Sequence, residues 1–271
     1  MDLLEFNYTI RSCFTPPVTR HAFKLRVLPW LGERTDAFQS IVRQKVRVMP
    51  DCHLLHATDA FGNSVLYGSL SSPHEVFTVE SKGLVACCEY AMPEVSPHDI
   101  FLFPTPLTQW NDDIRRMAAG RDADGIMHAV HECLCYERFV TDNTTTAIEA
   151  YRLHRGVCQD YAHLMIAACR SQCMHARYVN GLTMGDGETH AWVEVWTDGM
   201  WRGYDPTYDT CVEHGYLKFA QGRDVNDCPT NRGRFYGWTS EMLTVKANLS
   251  NNAEMSSAKA NLNNNAEMSS V

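Results

Sequence analysis

Apolar and polar residues alternate, or β-branched residues cluster, at Leu4 to Arg11, His21 to Leu28, Ser40 to Met49, Ser64 to Leu70, Glu75 to Val79 and Val85 to Glu89. A period of two marks a strand with one buried face. The runs are punctuated by Pro16-Pro17, Pro50-Asp51, Phe61-Gly62-Asn63 and Lys82-Gly83, residue types that turn or interrupt a chain. Short strands at this spacing predict a β-sandwich-like domain over residues 1 to 95. Pro93, Pro97, Pro104 and Pro106 then break any ladder, which sets a domain boundary there.

From Asn111 the period changes to three and four. Ile114, Met117, Ala118, Ile126, Val130, Cys133 and Leu134 follow a helical stripe, and Thr146 to Leu153 predicts a short helix ending before Gly156. The next helix is predicted from Cys158 to Ser171, with Tyr161, Ala162, Met165, Ile166 and Cys169 on one face. Strands follow at Ala176 to Leu182, His190 to Trp196 and Trp201 to Tyr204, with Asp186-Gly187 and Asp198-Gly199 as turns. Helices first and antiparallel strands afterwards predict an α+β domain over residues 96 to 245. Ala247 to Ser257 recurs almost unchanged as Ala260 to Ser270. Two polar copies cannot build a solenoid, so residues 246 to 271 are expected to be a disordered appendage outside the chemistry.

Composition narrows the partners. At 271 residues and 45% hydrophobic the chain can bury two cores. Its 24 Lys and Arg against 32 Asp and Glu leave a net charge of −8 with no basic cluster, which argues against nucleic acid. The N-terminus lacks a signal-peptide pattern, and no apolar run approaches the ~18 residues of a membrane span. A soluble, cytoplasmic protein is expected. The eleven cysteines have no paired spacing, so most are expected to be reduced, small apolar residues.

Cys158 differs from the other ten. It opens a helix, where unpaired N–H groups and the dipole favour a thiolate, and Gly156 lets the chain turn sharply into that helix. His190 begins a strand, and Asp205 ends the next strand across the Asp198-Gly199 turn, so the two can pair in a hairpin. A thiol, a base and a group that orients the base form the set a thiol nucleophile needs for acyl transfer. His128, His131, Cys133 and Cys135 are the densest candidate metal ligands, but on a helix they do not converge on one ion. No metal or other cofactor is expected.

Gly156-Val157-Cys158-Gln159-Asp160-Tyr161-Ala162, Thr189-His190-Ala191-Trp192 and Asp205-Pro206-Thr207 resemble the three ordered motifs of the transglutaminase-like superfamily. His214 to Asp224, with Pro229 and Gly233, is similar to the segment after the aspartate in bacterial transglutaminase-like cysteine peptidases. Tyr8, Pro17-Val18, Leu25 to Pro29, Asp59 to Asn63 and Pro73-His74 are similar to the N-terminal β-domain of that branch. The resemblance spans residues 4 to 240 and implies a papain-like catalytic domain whose triad is Cys158, His190 and Asp205. The calcium dependence of animal transglutaminases is not expected.

Trp192 is assigned to an acyl-binding groove, with packing on the strand face as the alternative; Asp160 and Tyr161 are read as a helix-dipole partner and a core residue. The leading function is hydrolysis of an amide bond in a peptide or protein substrate. An amine-dependent acyltransferase and a non-enzymatic binding module with a vestigial triad are the alternatives; oligomeric state is left open.

Overall fold

The computed structural model describes residues 1–31, 38–93 and 96–252. The expected boundary at residues 95 and 96 thus touches residues outside the described ones.

Five strands open the chain: β1 (Asp2–Leu25), β2 (Gln39–Met49), β3 (Leu55–Thr58), β4 (Ser64–Leu70) and β5 (His74–Cys87). All pairing is antiparallel. β1 is one strand where the pattern predicts two, because Pro16 and Pro17 shift its register without stopping it. It pairs with β5 up to Cys13 and again at Val18, and with the last described strand up to Thr15; from Thr19 on it pairs with β4 and with the strand at residues 231–236. The predicted turn at Lys82-Gly83 is also absent: both residues pair on either side, with Asn7 and Phe6 and with Lys45 and Gln44. Inward residues of both stretches of β1, Phe6, Ile10, Phe23 and Leu25, join Phe77 and Val79 in one core.

After β6 (Ala91–Pro93) come α1 (Asp112–Ala118), α2 (Ala123–Cys133), β7 (Cys135–Tyr136), α3 (Ala147–Leu153), β8 (Arg155–Gly156) and α4 (Cys158–Ser171). Side-chain caps set the helix starts: Asn111 accepts from Ile114 N–H, Asp122 from Gly125 N–H, and Thr146 with Glu149 forms a capping box. β9 (Ala176–Thr183), β10 (Gly185–Gly187), β11 (His190–Thr197), β12 (Met200–Asp205), β13 (Thr210–Val212) and β14 (Tyr216–Gly222) follow. The second sheet runs β13-β12-β11-β9-β14, with β6 added on β12. α4 packs on β11 and β9 beneath α1, α2 and α3, so every residue from Asp160 to Arg170 is buried rather than one face. The result is an α+β fold with an N-terminal β-domain.

The expected boundary between residues 245 and 246 falls inside a strand and is corrected. β15 (Asn231–Tyr236) and β16 (Ser240–Asn251) leave the second sheet and return to β1, with Ala247 opposite Tyr8 and Leu249 opposite Phe6. Apolar burial decides this, since Ala247 and Leu249 enter the N-terminal core. Residues 253 to 271 of the expected appendage lie outside the described residues. Leu182, Leu217 and Phe219 of β9 and β14 fill the same core, with Phe219 edge-on to Phe6 and Tyr8 at 5.8 and 5.5 Å between ring centres.

Candidate active site

α4 begins where a short parallel pair ends. Tyr136 of β7 lies opposite Gly156 of β8, and the Gly156 carbonyl accepts from Glu137 N–H at 2.9 Å. A Cβ on Gly156 would lie 2.6 to 2.8 Å from three atoms of the Asp160 side chain, so only glycine fits. That side chain closes the turn: Asp160 Oδ2 accepts from Val157 N–H and the Thr141 hydroxyl, both at 2.7 Å. Asp160 therefore fixes the bend that presents Cys158, a role beyond the dipole partnership read from sequence. Burial pushes its carboxyl pKa up despite these bonds.

Cys158, half-buried, is the first residue of α4. Its side chain is hydrogen-bonded to the His190 imidazole. His190 starts β11 opposite Gly181 of β9. A Cβ on Gly181 would meet the Leu217 carbonyl oxygen at 2.1 Å and the Trp192 ring at 2.6 Å, which is why the strands can close in there. His190 Nε2 donates to Asp205 Oδ2 at 2.6 Å, leaving the other ring nitrogen for the thiol.

Asp198 and Gly199 both have positive φ, at 52° and 79°, the conformation of a two-residue hairpin turn. The register from that turn pairs Val193 with Tyr204, so His190 reaches Asp205 on the diagonal rather than straight across. Asp205 is fully buried, and four donors surround its carboxylate. Thr207 and Tyr208 N–H donate to Oδ1 at 2.9 and 3.4 Å, while His190 and the Tyr216 hydroxyl, the latter at 2.9 Å, donate to Oδ2. Burial alone would lower the His190 pKa; the bonds and charges of Asp205 and Cys158 outweigh it and raise it to about 10.

The structure brings the three predicted residues into one chain of contacts and corrects the fourth. Trp192 is fully buried, donates from its indole N–H to the Tyr90 hydroxyl at 2.8 Å, and is not among the described residues lining the cleft at Cys158. Its ring lies 6.4 Å from His190 at 24°, while Tyr208 stacks on His190 at 5.1 Å and 19°. Two aromatic rings thus lie nearly parallel to the imidazole. Behind Trp192, Tyr90 donates to Glu194, whose buried carboxylate also binds Arg177 and, at 2.7 Å, Lys218.

Tyr208 and Tyr216 were missed because stacking and the phenol-carboxylate bond join residues with no shared sequence period. The candidate metal ligands have other partners: His128 pairs with Asp209, His131 Nδ1 meets the Pro206 carbonyl at 3.1 Å, and Cys133 lies by His154. The two histidines thus tie α2 to the loop that follows Asp205.

Cys158, His190 and Tyr208 open into a cleft of about 540 Å³. Tyr136, Arg138 and Glu188 line it, as do Ile10, Leu243, Val245 and Ala247. The N-terminal β-domain and β16 therefore build a wall of the site.

A helix-borne cysteine faces a strand-borne histidine and aspartate, and comparison with known proteins bears on the fold that carries them. Residues 108–206 match the transglutaminase-like superfamily and residues 4–86 the bacterial transglutaminase-like N-terminal region. The chain thus carries a transglutaminase-like core and, in front of it, a bacterial transglutaminase-like N-terminal region. The crystal structure of a "putative cysteine protease" from Cytophaga hutchinsonii shares the fold at TM-score 0.76 and 20% identity, over 93% of this chain and 91% of that one. An uncharacterized protein of Mycobacterium leprae is 27% identical over 89% of this chain and 95% of its own length. One from Mycobacterium tuberculosis is 28% identical over 66% of this chain and 71% of its own. Family and fold together support a cysteine-dependent enzyme.

Proposed function

We propose that this protein hydrolyses an amide bond of a peptide or protein through a thioester on Cys158. The observation that carries the reading is the unbroken contact from thiol to imidazole to buried carboxylate at the edge of an open cleft. A His190 pKa near 10 favours an imidazolium beside the sulfur at neutral pH, which supports the thiolate as the resting nucleophile.

Cys158 Sγ attacks the amide carbon, and the carbonyl oxygen takes the negative charge, stabilised by the Cys158 N–H at the start of α4. Collapse breaks the C–N bond as the imidazolium delivers its proton to the leaving amine. Neutral His190 then takes a proton from water, the hydroxide adds to the thioester, and the acid leaves as thiolate and imidazolium reform. Asp205 holds one ring orientation throughout.

Iodoacetamide is expected to label Cys158 faster than the other ten cysteines, with the rate reduced in His190→Ala. Equal labelling of all eleven refutes the reading. Transfer of a fluorescent amine to glutamine-bearing protein, lost in Cys158→Ala, would replace hydrolysis by amine transfer.

A further inference from the structure

Among the described residues that line the cleft, Arg138 is the only Lys or Arg, and it pairs with Glu188 at 3.2 Å. Asp186 accepts from the Asn248 amide at 2.9 Å. The one guanidinium of the lining is thus already paired, and the His190 imidazole is engaged with Asp205 and Cys158.

One row of the lining is apolar. Leu243, Val245 and Ala247 alternate along β16, so all three project from one face of the strand, and Ile10 of β1 lies opposite Val245 on the same face. Ala247 and Ile10 are buried, Val245 is half-buried, and Leu243 is 56% exposed. The apolar row thus starts in the N-terminal core and emerges into the cleft that holds Cys158. Met184, 48% exposed, adds a flexible thioether to the same lining.

We infer that this wall is a specificity subsite for an apolar side chain next to the scissile amide, so that the preferred substrate is an internal, uncharged stretch of polypeptide. The inference rests on the reading of Cys158 as nucleophile for its meaning, although not for its test. An apolar chain on this wall leaves water, at a gain of roughly fourfold in binding per buried methylene. An acidic side chain there would lose its hydration with no unpaired Lys or Arg of the described lining to meet it.

The test compares alkylation of Cys158 by iodoacetamide and by N-hexyl and N-dodecyl iodoacetamide, read by mass spectrometry and normalised to free cysteine. The hexyl reagent is expected to react at least about tenfold faster than iodoacetamide, with no further gain for dodecyl. Leu243→Asp, at an exposed position, is expected to bring the hexyl ratio, taken against iodoacetamide on the same variant, towards one. A hexyl ratio near one in the native protein overturns the inference and leaves the proposed chemistry standing. A high ratio unaffected by Leu243→Asp also overturns it, because the subsite then lies elsewhere. A gain that continues to dodecyl overturns the side-chain assignment in favour of a long acyl chain. A Cys158 no more reactive than other cysteines refutes the nucleophile, while the hexyl ratio at that residue still decides the wall.

Discussion

Tyr216→Phe deletes a single oxygen and, with it, one of four donors to a carboxylate that has no access to water. The ring keeps its edge-on contact with Trp192 at 5.3 Å, so the apolar burial of the side chain is retained and the hydrogen bond is isolated. A hydrogen bond to a charged group contributes ~1.5 to 3 kcal/mol. Asp205 keeps Thr207 N–H, Tyr208 N–H and His190, so the loss should fall near the lower end, about 1.5 to 2 kcal/mol.

Stability is only half of the expectation. The phenol and the imidazole donate to the same oxygen, Oδ2, at 2.9 and 2.6 Å. Without the phenol the charge on Asp205 is balanced more fully by His190, which should hold its proton more tightly still. The Phe variant should therefore unfold at lower urea, while the inflection at which His190 loses its proton, read from iodoacetamide labelling of Cys158 against pH, moves up by as much as about one unit. Stability unchanged to within about 0.5 kcal/mol, or an inflection that moves down, would refute Tyr216 as a positioning residue for Asp205.

A histidine whose folded pKa is about 10 against an ordinary 6.5 contributes stability that is complete below pH 6.5 and is lost as pH rises through 10. Urea unfolding of the native protein and of His190→Gln at pH 6, 8 and 10 should show that decline only in the native protein. Leu249→Ala, at a 1% exposed position within the first repeat copy, should cost ~2 to 5 kcal/mol, and a neutral result would detach β16 from the core. Glu194→Gln leaves Arg177 and Lys218 buried without their carboxylate and should cost ~3 to 5 kcal/mol in thermal or urea unfolding.

Some of this molecule is written locally. The start of α4 was legible at Cys158 because a glycine, a β-branched residue and an acidic third helical position all act within one turn. The hairpin from His190 to Asp205 was legible because the Asp198-Gly199 turn sets the register over the few residues between them. Each depends on neighbours in the chain, which a sequence displays directly.

The rest depends on residues far apart. Pro16 and Pro17 signal a break, yet β1 continues because partners on both sides supply the pairing the prolines cannot. The polar repeat reads as an appendage, yet its first residues complete the N-terminal sheet, since Ala247 and Leu249 have a core to enter only once β1 and β14 are in place. Trp192 reads as a groove residue on a period-two strand, but both faces of β11 are covered and the indole is sealed against Tyr90. Tyr216 and the β16 wall belong to the site for the same reason. Spacing along the chain singled out Cys158, His190 and Asp205, whereas the fourth donor to Asp205 and the apolar wall were decided by which distant strands hydrophobic burial brought beside them.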